Sequence, residues 1–403
     1  MLIDRRDFVG SLVTSALYRG VRGLARAGRQ ETAPVRGDRF DPWVEVDPAA
    51  LAHNVGVVSR LTSGRPIMAV LKNNAYGLGL AEASRLLAAH AEVMGFAVVK
   101  PEDALALRAA GIGKPVLLMG MAPDSLVADL VAGNVHLSLY LEDDAERLPG
   151  LASGSGPIPA HIYVDTGMSR MGVPYHRALP VLRSIAERRA FRIDGTFMAF
   201  TEEPDFDPEQ LRRFLELAAS ARGLGISPGR LHAASSNGVF HLPDAHLDLV
   251  RPGMALFGGY PSRPDEERAK AALVPAARLR CRVVRVARLR PGDTVSYGRD
   301  YVAERPTWIA TLPAGHVDGY PRGAVGGARI LIGGRTYPVI GAVSASHIIV
   351  EVGDEHTVSV GDVATLVGPD HPAIHPNEVA RVSGGSVYDV FMHLNPQLPR
   401  FVL

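Results

Sequence analysis

Between residues 42 and 258, short apolar runs alternate with longer stretches of helical period, and this rhythm constrains the fold more than any other feature of the chain. The runs lie at 67–72, 93–99, 116–120, 135–140, 160–165, 192–200, 230–236 and 247–251. Strands separated by helices pair in parallel, and eight of them predict a closed (β/α)8 TIM barrel. Within the intervening stretch 208–222, Leu211, Phe214, Leu215 and Ala218 fall at i, i+3, i+4 and i+7, which predicts one buried helical stripe.

After about residue 270 the texture changes. Helical periods give way to short runs such as RVVRVARL, ARILIGG, YPVIGAV and HIIVEV, separated by Gly and Pro. The chain therefore reads as an α/β protein: an N-terminal TIM barrel over 42–270 and a C-terminal all-β domain over 271–403.

Charge and cysteine content narrow the function classes. With 43 basic and 42 acidic residues, the net charge of +1 gives no global field toward nucleic acid or an anionic membrane. The single cysteine, Cys281, excludes an internal disulfide framework and a cysteine-rich zinc site, and reads as a small buried apolar residue. No metal site is expected. No run approaches the roughly 20 apolar residues of a membrane span.

The first 38 residues stand apart. Arg5 and Arg6 precede Phe8 and a short apolar run, resembling a twin-arginine export signal. Such a route carries folded, cofactor-loaded proteins and implies a periplasmic enzyme. Arg19, Arg22 and Arg26 follow closely, so the alternative is an amphipathic or disordered arm on a cytoplasmic protein.

The chemistry centres on Lys72. It ends the run IMAVL, where a barrel strand meets its catalytic face, and NNAYGLG follows, with Gly77 and Gly79 permitting a close loop and Tyr76 turned back to the same mouth. The whole string MAVLKNNAYGLG resembles the cofactor-lysine motif of the alanine racemase family, fold-type III pyridoxal-phosphate enzymes. Further resemblance lies in HIYVDTGMSRMGV at 161–173, HAASSNGVFHLPDAHLDLVRPGMALFGGYP at 232–261, DTVSYGRDYVAERPTWIATLPAGHVDGYPR at 293–322 and VYDVFMHLNPQLPR near the end. The chain is identified as a divergent member.

That resemblance implies an amino-acid racemase, alanine first among substrates, working as a homodimer in which the β domain of one chain completes the barrel mouth of the other. Lys72 would carry the cofactor and act as one α-proton base; Tyr297 would be the base on the opposite face. Tyr76, Ser236, Gly253, Met254 and Tyr388 match positions that hold the phosphate. Arg251 matches the arginine facing the pyridine nitrogen, and Arg170 the one near the phenolic oxygen.

Departures gather at the substrate end. Tyr163 stands where the family usually has a lysine that steadies Arg170. Met198 and Ala199 replace a Thr-His pair, removing the histidine expected beside Tyr297. His316 replaces a tyrosine, and Ser344, Ala345 and Ser346, followed by His347, replace the Ser-Met-Asp of the substrate-carboxylate loop. Lost volume at Ala199 and Ala345 suggests room for larger or polar amino acids. Two other readings stay open: carbanion chemistry on the same fold, such as retro-aldol cleavage or epimerisation, and pyridoxal-phosphate binding without turnover. The second is disfavoured because the small cofactor-binding barrels lack the β domain that brings Tyr297.

Overall fold

The computed structural model describes residues 41–152 and 156–403. The segment read as an export signal lies outside the described residues. Strand β1 (Trp43–Val46) does not enter the barrel. It pairs antiparallel with a strand of the β domain and parallel with the last strand.

The barrel follows as β2 (Ile67–Val70), β3 (Val93–Val98), β4 (Val116–Leu118), β5 (Val135–Leu139), β6 (Ile158–Asp165), a short β7 (Val173–Pro174) beside β6, β8 (Phe191–Phe197) and β9 (Arg230–His232). Neighbours along β2, β3, β4, β5, β6, β8 and β9 are parallel, as strands joined by outer helices must be. Residues 247–252 take the remaining place without forming a regular strand. They close the ring through Met68 N to Val250 O (2.8 Å), Val70 N to Pro252 O (2.9 Å) and Arg251 N to Ala234 O (2.8 Å). Pro252 has no N–H to extend the ladder.

Alternation along the strands sends one set of side chains inward. Met68, Val70, Ala97, Leu117, Tyr163, Phe197 and Leu249 form this interior cluster, separate from the larger core between barrel, helices and β domain. Outside, the helix Pro48–Leu61 starts where Asp47 Oδ1 accepts the N–H groups of Ala49 (3.0 Å) and Ala50 (3.2 Å), with Pro48 in the first turn.

The helix Asp207–Gly223 forms where expected, but its buried face is rotated. Gln210, Phe214, Leu217, Ala218 and Ala221 are buried, whereas Leu215 is 38% exposed. Gln210 turns inward because its amide is satisfied there: Nε2 donates to Thr166 Oγ1 (3.1 Å), and Oε1 accepts from Thr201 N (2.9 Å).

The β domain comprises β10 (Ala277–Arg282), β11 (Arg285–Leu289), β12 (Thr294–Val295), β13 (Tyr301–Val302), β14 (Thr307–Leu312), β15 (Arg329–Ile332), β16 (Arg335–Ile340), β17 (Ile348–Gly353), β18 (Val363–Val367) and β19 (Arg400–Val402). Its main sheet has the order β11-β14-β17-β16-β15-β18-β10-β1-β19, and β12 and β13 form a separate hairpin. Cys281 is fully buried in β10, as its composition reading requires. Two helices, Pro376–Ser383 and Val387–Met392, interrupt the all-β texture. They are too short to show a period in sequence, and local caps start them: Ser386 Oγ accepts from Tyr388 N (3.2 Å) while Asp389 Oδ2 accepts from Ser386 N (2.9 Å).

Where the barrel hands over to the β domain, Gly258 has φ +87°, and a Cβ there would stand 2.0 Å from the carbonyl oxygen of Val274. Gly258→Ala combines left-handed strain with a backbone clash, so we expect a loss of about 2–4 kcal/mol. A thermal melt should show it as a lower Tm, and an unchanged Tm would contradict the close approach.

Candidate active site

Lys72 follows β2 after one residue, Leu71, at the C-terminal mouth of the barrel, and the turn after it is left-handed. Asn73, Asn74, Ala75 and Tyr76 have φ of 55°, 56°, 51° and 54°, and Gly77 follows at 81°. Each L-residue in this region costs about 1–2 kcal/mol, less for Asn, so the turn persists only because its surroundings hold it. Asn73 Nδ2 donates to Met392 O (2.8 Å), and Asn74 Oδ1 accepts from Leu80 N (2.9 Å). Arg400 donates to Gly77 O through Nε (3.0 Å) and Nη2 (2.8 Å). At Gly77 any Cβ would lie 2.4 Å from Phe391 O. The C-terminal helix and β19 therefore clasp the lysine turn.

The lysine amine lies 5.4 Å from the ring centre of Tyr388 and 5.7 Å from that of Tyr76. Burial lowers its pKa, the positive charge of Arg170 lowers it further, and the Glu202 carboxylate opposes both. A lysine that more readily sheds its proton is a better nucleophile and base. Glu202 was not singled out from the sequence. It sits just past β8 with φ +64° and accepts a hydrogen bond from Ser235 Oγ (3.3 Å). Desolvation in the mouth pushes its carboxyl above the usual range, against the Ser235 hydrogen bond.

Beside the lysine lies a cradle. The Tyr76 ring is buried against Phe257 (4.8 Å) and faces Tyr388 (6.3 Å). Its hydroxyl approaches Gly253 so closely that a Cβ there would stand 2.0 Å away. Ser236 Oγ accepts from Gly253 N (3.0 Å) and Ala255 N (3.1 Å), so its own hydrogen remains for an acceptor. Met254 opens the 3-10 turn Met254–Phe257 at the same place. Hydroxyls and main-chain N–H groups with an amine alongside suit a phosphate-bearing aldehyde, so the residues present fit pyridoxal phosphate.

Arg251 is buried at 6% exposure, with no carboxylate partner among the described residues. Nη1 donates to His232 O (2.6 Å) and to His232 Nδ1 (2.9 Å), while Nη2 donates to Met198 O (2.7 Å) and Ala233 O (3.3 Å). Its guanidinium lies over Phe197 at 5.2 Å. Burial lowers its pKa to about 10, so it stays charged at neutral pH. Tyr163 stacks on Phe197 at 4.4 Å inside the barrel, and Arg170 is exposed on the loop where Asp165 Oδ1 accepts from Gly167 N (2.9 Å) and Ser169 N (3.0 Å). Ala199 lines the same interior.

Tyr297 is not among these groups. It stands 78% exposed between β12 and β13 and makes no hydrogen bond or ring contact among the described residues. The turn that carries it adjoins the other departures. Ser296 Oγ donates to Ala342 O (3.4 Å), His316 N to Ser344 O (3.0 Å) and Val317 N to Ala345 O (3.2 Å). Tyr297, His316, Ala345, Ser346 and His347 are all exposed in the β domain. The sequence motifs placed these residues in one functional class but not on a surface facing solvent. No cluster of potential metal ligands occurs among the described residues.

Comparison with known proteins covers nearly the whole described chain. The alanine racemase N-terminal domain model matches residues 46–261, and the C-terminal domain model matches 276–402. Alanine racemase of Carboxydothermus hydrogenoformans is 35% identical over 367 residues, covering 89% of this chain and 98% of that protein. The Desulfovibrio desulfuricans alanine racemase is 33% identical, covering 89% and 97%. Among solved structures, alanine racemase from Bacillus anthracis with bound L-Ala-P superposes with TM-score 0.82 at 28% identity, over 92% of this chain and 96% of that one. The Streptomyces coelicolor enzyme gives 0.83 at 29% identity, over 90% and 98%.

The electrostatics of the mouth are testable through Lys72. Arg170→Gln removes a cation, so the Lys72 pKa should rise and its neutral fraction at pH 8 fall, slowing capture of an aldehyde probe severalfold. Glu202→Gln should act in the opposite direction. Equal shifts of the same sign in the two pH–rate profiles would refute this arrangement.

Proposed function

The chain belongs to the alanine racemase family, and we propose on that premise that it interconverts L- and D-alanine with two bases drawn from two subunits. The observation that carries the reading is the division of labour just described: a clasped, pKa-lowered lysine beside a phosphate cradle at the barrel mouth, and a solvent-facing tyrosine on the β domain.

Pyridoxal phosphate is the family's cofactor; when bound, it supplies the electron sink that takes up the pair left as the Cα–H bond breaks. Lys72 would hold it through the amine. Tyr76, Ser236, Tyr388 and the N–H of Met254 would hold its phosphate where Gly253 leaves room for close approach, Arg251 would face the ring nitrogen, and Arg170 the phenolic oxygen. Arg251 does not readily surrender a proton, which favours simple proton return over side reactions.

Inversion requires that a proton leave one face of Cα and another arrive on the opposite face. The Lys72 amine serves one face, helped by burial and by Arg170, which lower its pKa and so favour the neutral form. The Tyr297 hydroxyl serves the other. Within one chain Tyr297 faces solvent, so in this reading it reaches the mouth of a second copy, which makes the homodimer part of the proposal. His316, Ser346 and His347 are exposed on the same domain and would meet the substrate end of the same mouth. Without a histidine at Ala199, the phenol relies on these neighbours for its proton traffic. Alanine is the substrate because the relatives are alanine racemases.

Mixing inactive variants tests the shared site. If Lys72 and Tyr297 come from different chains, Lys72→Ala and Tyr297→Phe variants should each lose racemisation of alanine, and subunit exchange between them should restore about a quarter of wild-type activity. Half the dimers would be mixed, each with one intact site. No recovery after verified exchange would place both bases in one chain.

We further propose export through the Arg5-Arg6 pair. Replacing both by Lys should retain the enzyme in the cytoplasm, and continued export by the folded-protein route would overturn this localisation.

A further inference from the structure

The interior of a TIM barrel is ordinarily packed with branched aliphatic side chains. Here three strands place histidines there instead: His136 from β5, His161 from β6 and His232 from β9, at 8%, 2% and 0% exposure. They form a continuous column. His136 Nδ1 lies 3.3 Å from His161 Nε2, His161 Nδ1 lies 2.8 Å from His232 Nε2, and His232 Nδ1 lies 2.9 Å from Arg251 Nη1. The Asp194 carboxylate stands 3.2 Å from His136 Nδ1 at the other end and is held by Arg192 through two hydrogen bonds of 2.8 Å and 2.9 Å.

The backbone makes room for this column. Gly195 on β8 is the register partner of His161, and a Cβ at Gly195 would stand 2.6 Å from His161 Nδ1. Only a strand without a side chain at that point lets the imidazole reach across β8 to His232. Phe197 lies parallel to the His232 ring at 5.2 Å and fixes its plane.

The column has a direction, set by Arg251. A guanidinium can only donate, so His232 Nδ1 must be bare, and the ring must carry its hydrogen on Nε2. That hydrogen points at His161 Nδ1, which must in turn be bare, so His161 carries its hydrogen on Nε2 toward His136. Burial holds His161 and His232 well below the usual histidine range, so each neutral ring has one hydrogen to place. Reversing His232 or His161 would set two N–H groups against each other, and at the inner end would leave Arg251 one acceptor short; at the outer end the His161 N–H and the Asp194 carboxylate compete for His136 Nδ1.

We propose that His161, backed by His136, is a positioning residue for Arg251: the imidazole column locks the His232 tautomer and thereby the plane of the guanidinium. This deepens the functional reading above and rests on Arg251 facing the cofactor ring. Neither outer histidine touches substrate or cofactor. Their effect on the reaction runs through the orientation of one buried cation.

The test is magic-angle-spinning 15N NMR of the cofactor-loaded enzyme, labelled in its histidine rings, combined with alanine kinetics. In the wild type, His232 and His161 should each show a bare Nδ1 and a protonated Nε2. In His161→Phe, which fills the space without donor or acceptor, His232 should become a mixture of tautomers. In that variant kcat should fall roughly tenfold, the scale of one hydrogen bond to a charged group, with KM changed less than twofold. Gly195→Ala, which displaces His161 without removing it, should give the same spectral change and serves where His161→Phe fails to fold. A wild-type His232 protonated on Nδ1 would overturn the proposal, as would an unaltered His232 signal in a folded variant. An ordered column in a chain that fails to racemise alanine supports the column and overturns only the reading of function.

Discussion

The left-handed turn after Lys72 is the constraint on which the rest of the site depends. Four consecutive side-chain-bearing residues occupy a backbone region that L-amino acids avoid. The strain is held from outside. Arg400, on the last strand, spans the turn and the C-terminal segment, donating to Gly77 O, Asn395 O, Pro396 O and Leu398 O. Asn73 adds a second tie to Met392. Because β19 pairs with β1, and β1 with β10, the lysine is positioned by the β sheet as much as by the barrel strand that delivers it. The two domains are thus mechanically one unit at the place where chemistry is expected.

Electrostatics follow from the same geometry. The mouth gathers Lys72, Arg170 and Glu202, and the balance lowers the lysine pKa because burial and a like charge outweigh one carboxylate. Below it, Arg251 is a buried cation. It is tolerated because carbonyl oxygens and an imidazole take up its hydrogens, without a counter-ion whose pairing would fix a different orientation. The polar column beneath it replaces aliphatic packing with directional bonds, which specify orientation where hydrophobic contacts would not.

How much of this was readable beforehand depended on the kind of signal. The barrel strands declared themselves through period and length, and Lys72, Tyr76, Ser236, Arg251 and Gly253 through contiguous strings whose residue types the chemistry demands. The rotated face of the helix Asp207–Gly223 did not, because a buried glutamine breaks the apolar pattern and is stable only against Thr166 and Thr201. The short helices Pro376–Ser383 and Val387–Met392 escaped notice for want of a period. Glu202 lay in view in FTEE, but only its neighbours in space distinguish it from any other loop carboxylate.

The histidine column marks the boundary most clearly. His161 and His232 each opened a quoted motif, and His136 sat inside a candidate strand, yet nothing in the order of residues joins them. Sequence alone determined the α/β rhythm, the β-rich second half and the identity of the lysine, because these are local or carried by unbroken strings. Tertiary structure decided which side chains share the barrel interior, which way the turn after Lys72 winds, and that Tyr297 faces outward. The physical reason is that these depend on strand register and closure: a one-residue shift in register exchanges inside for outside, and only the closed ring brings residues 136, 161, 232 and 251 within hydrogen-bonding distance.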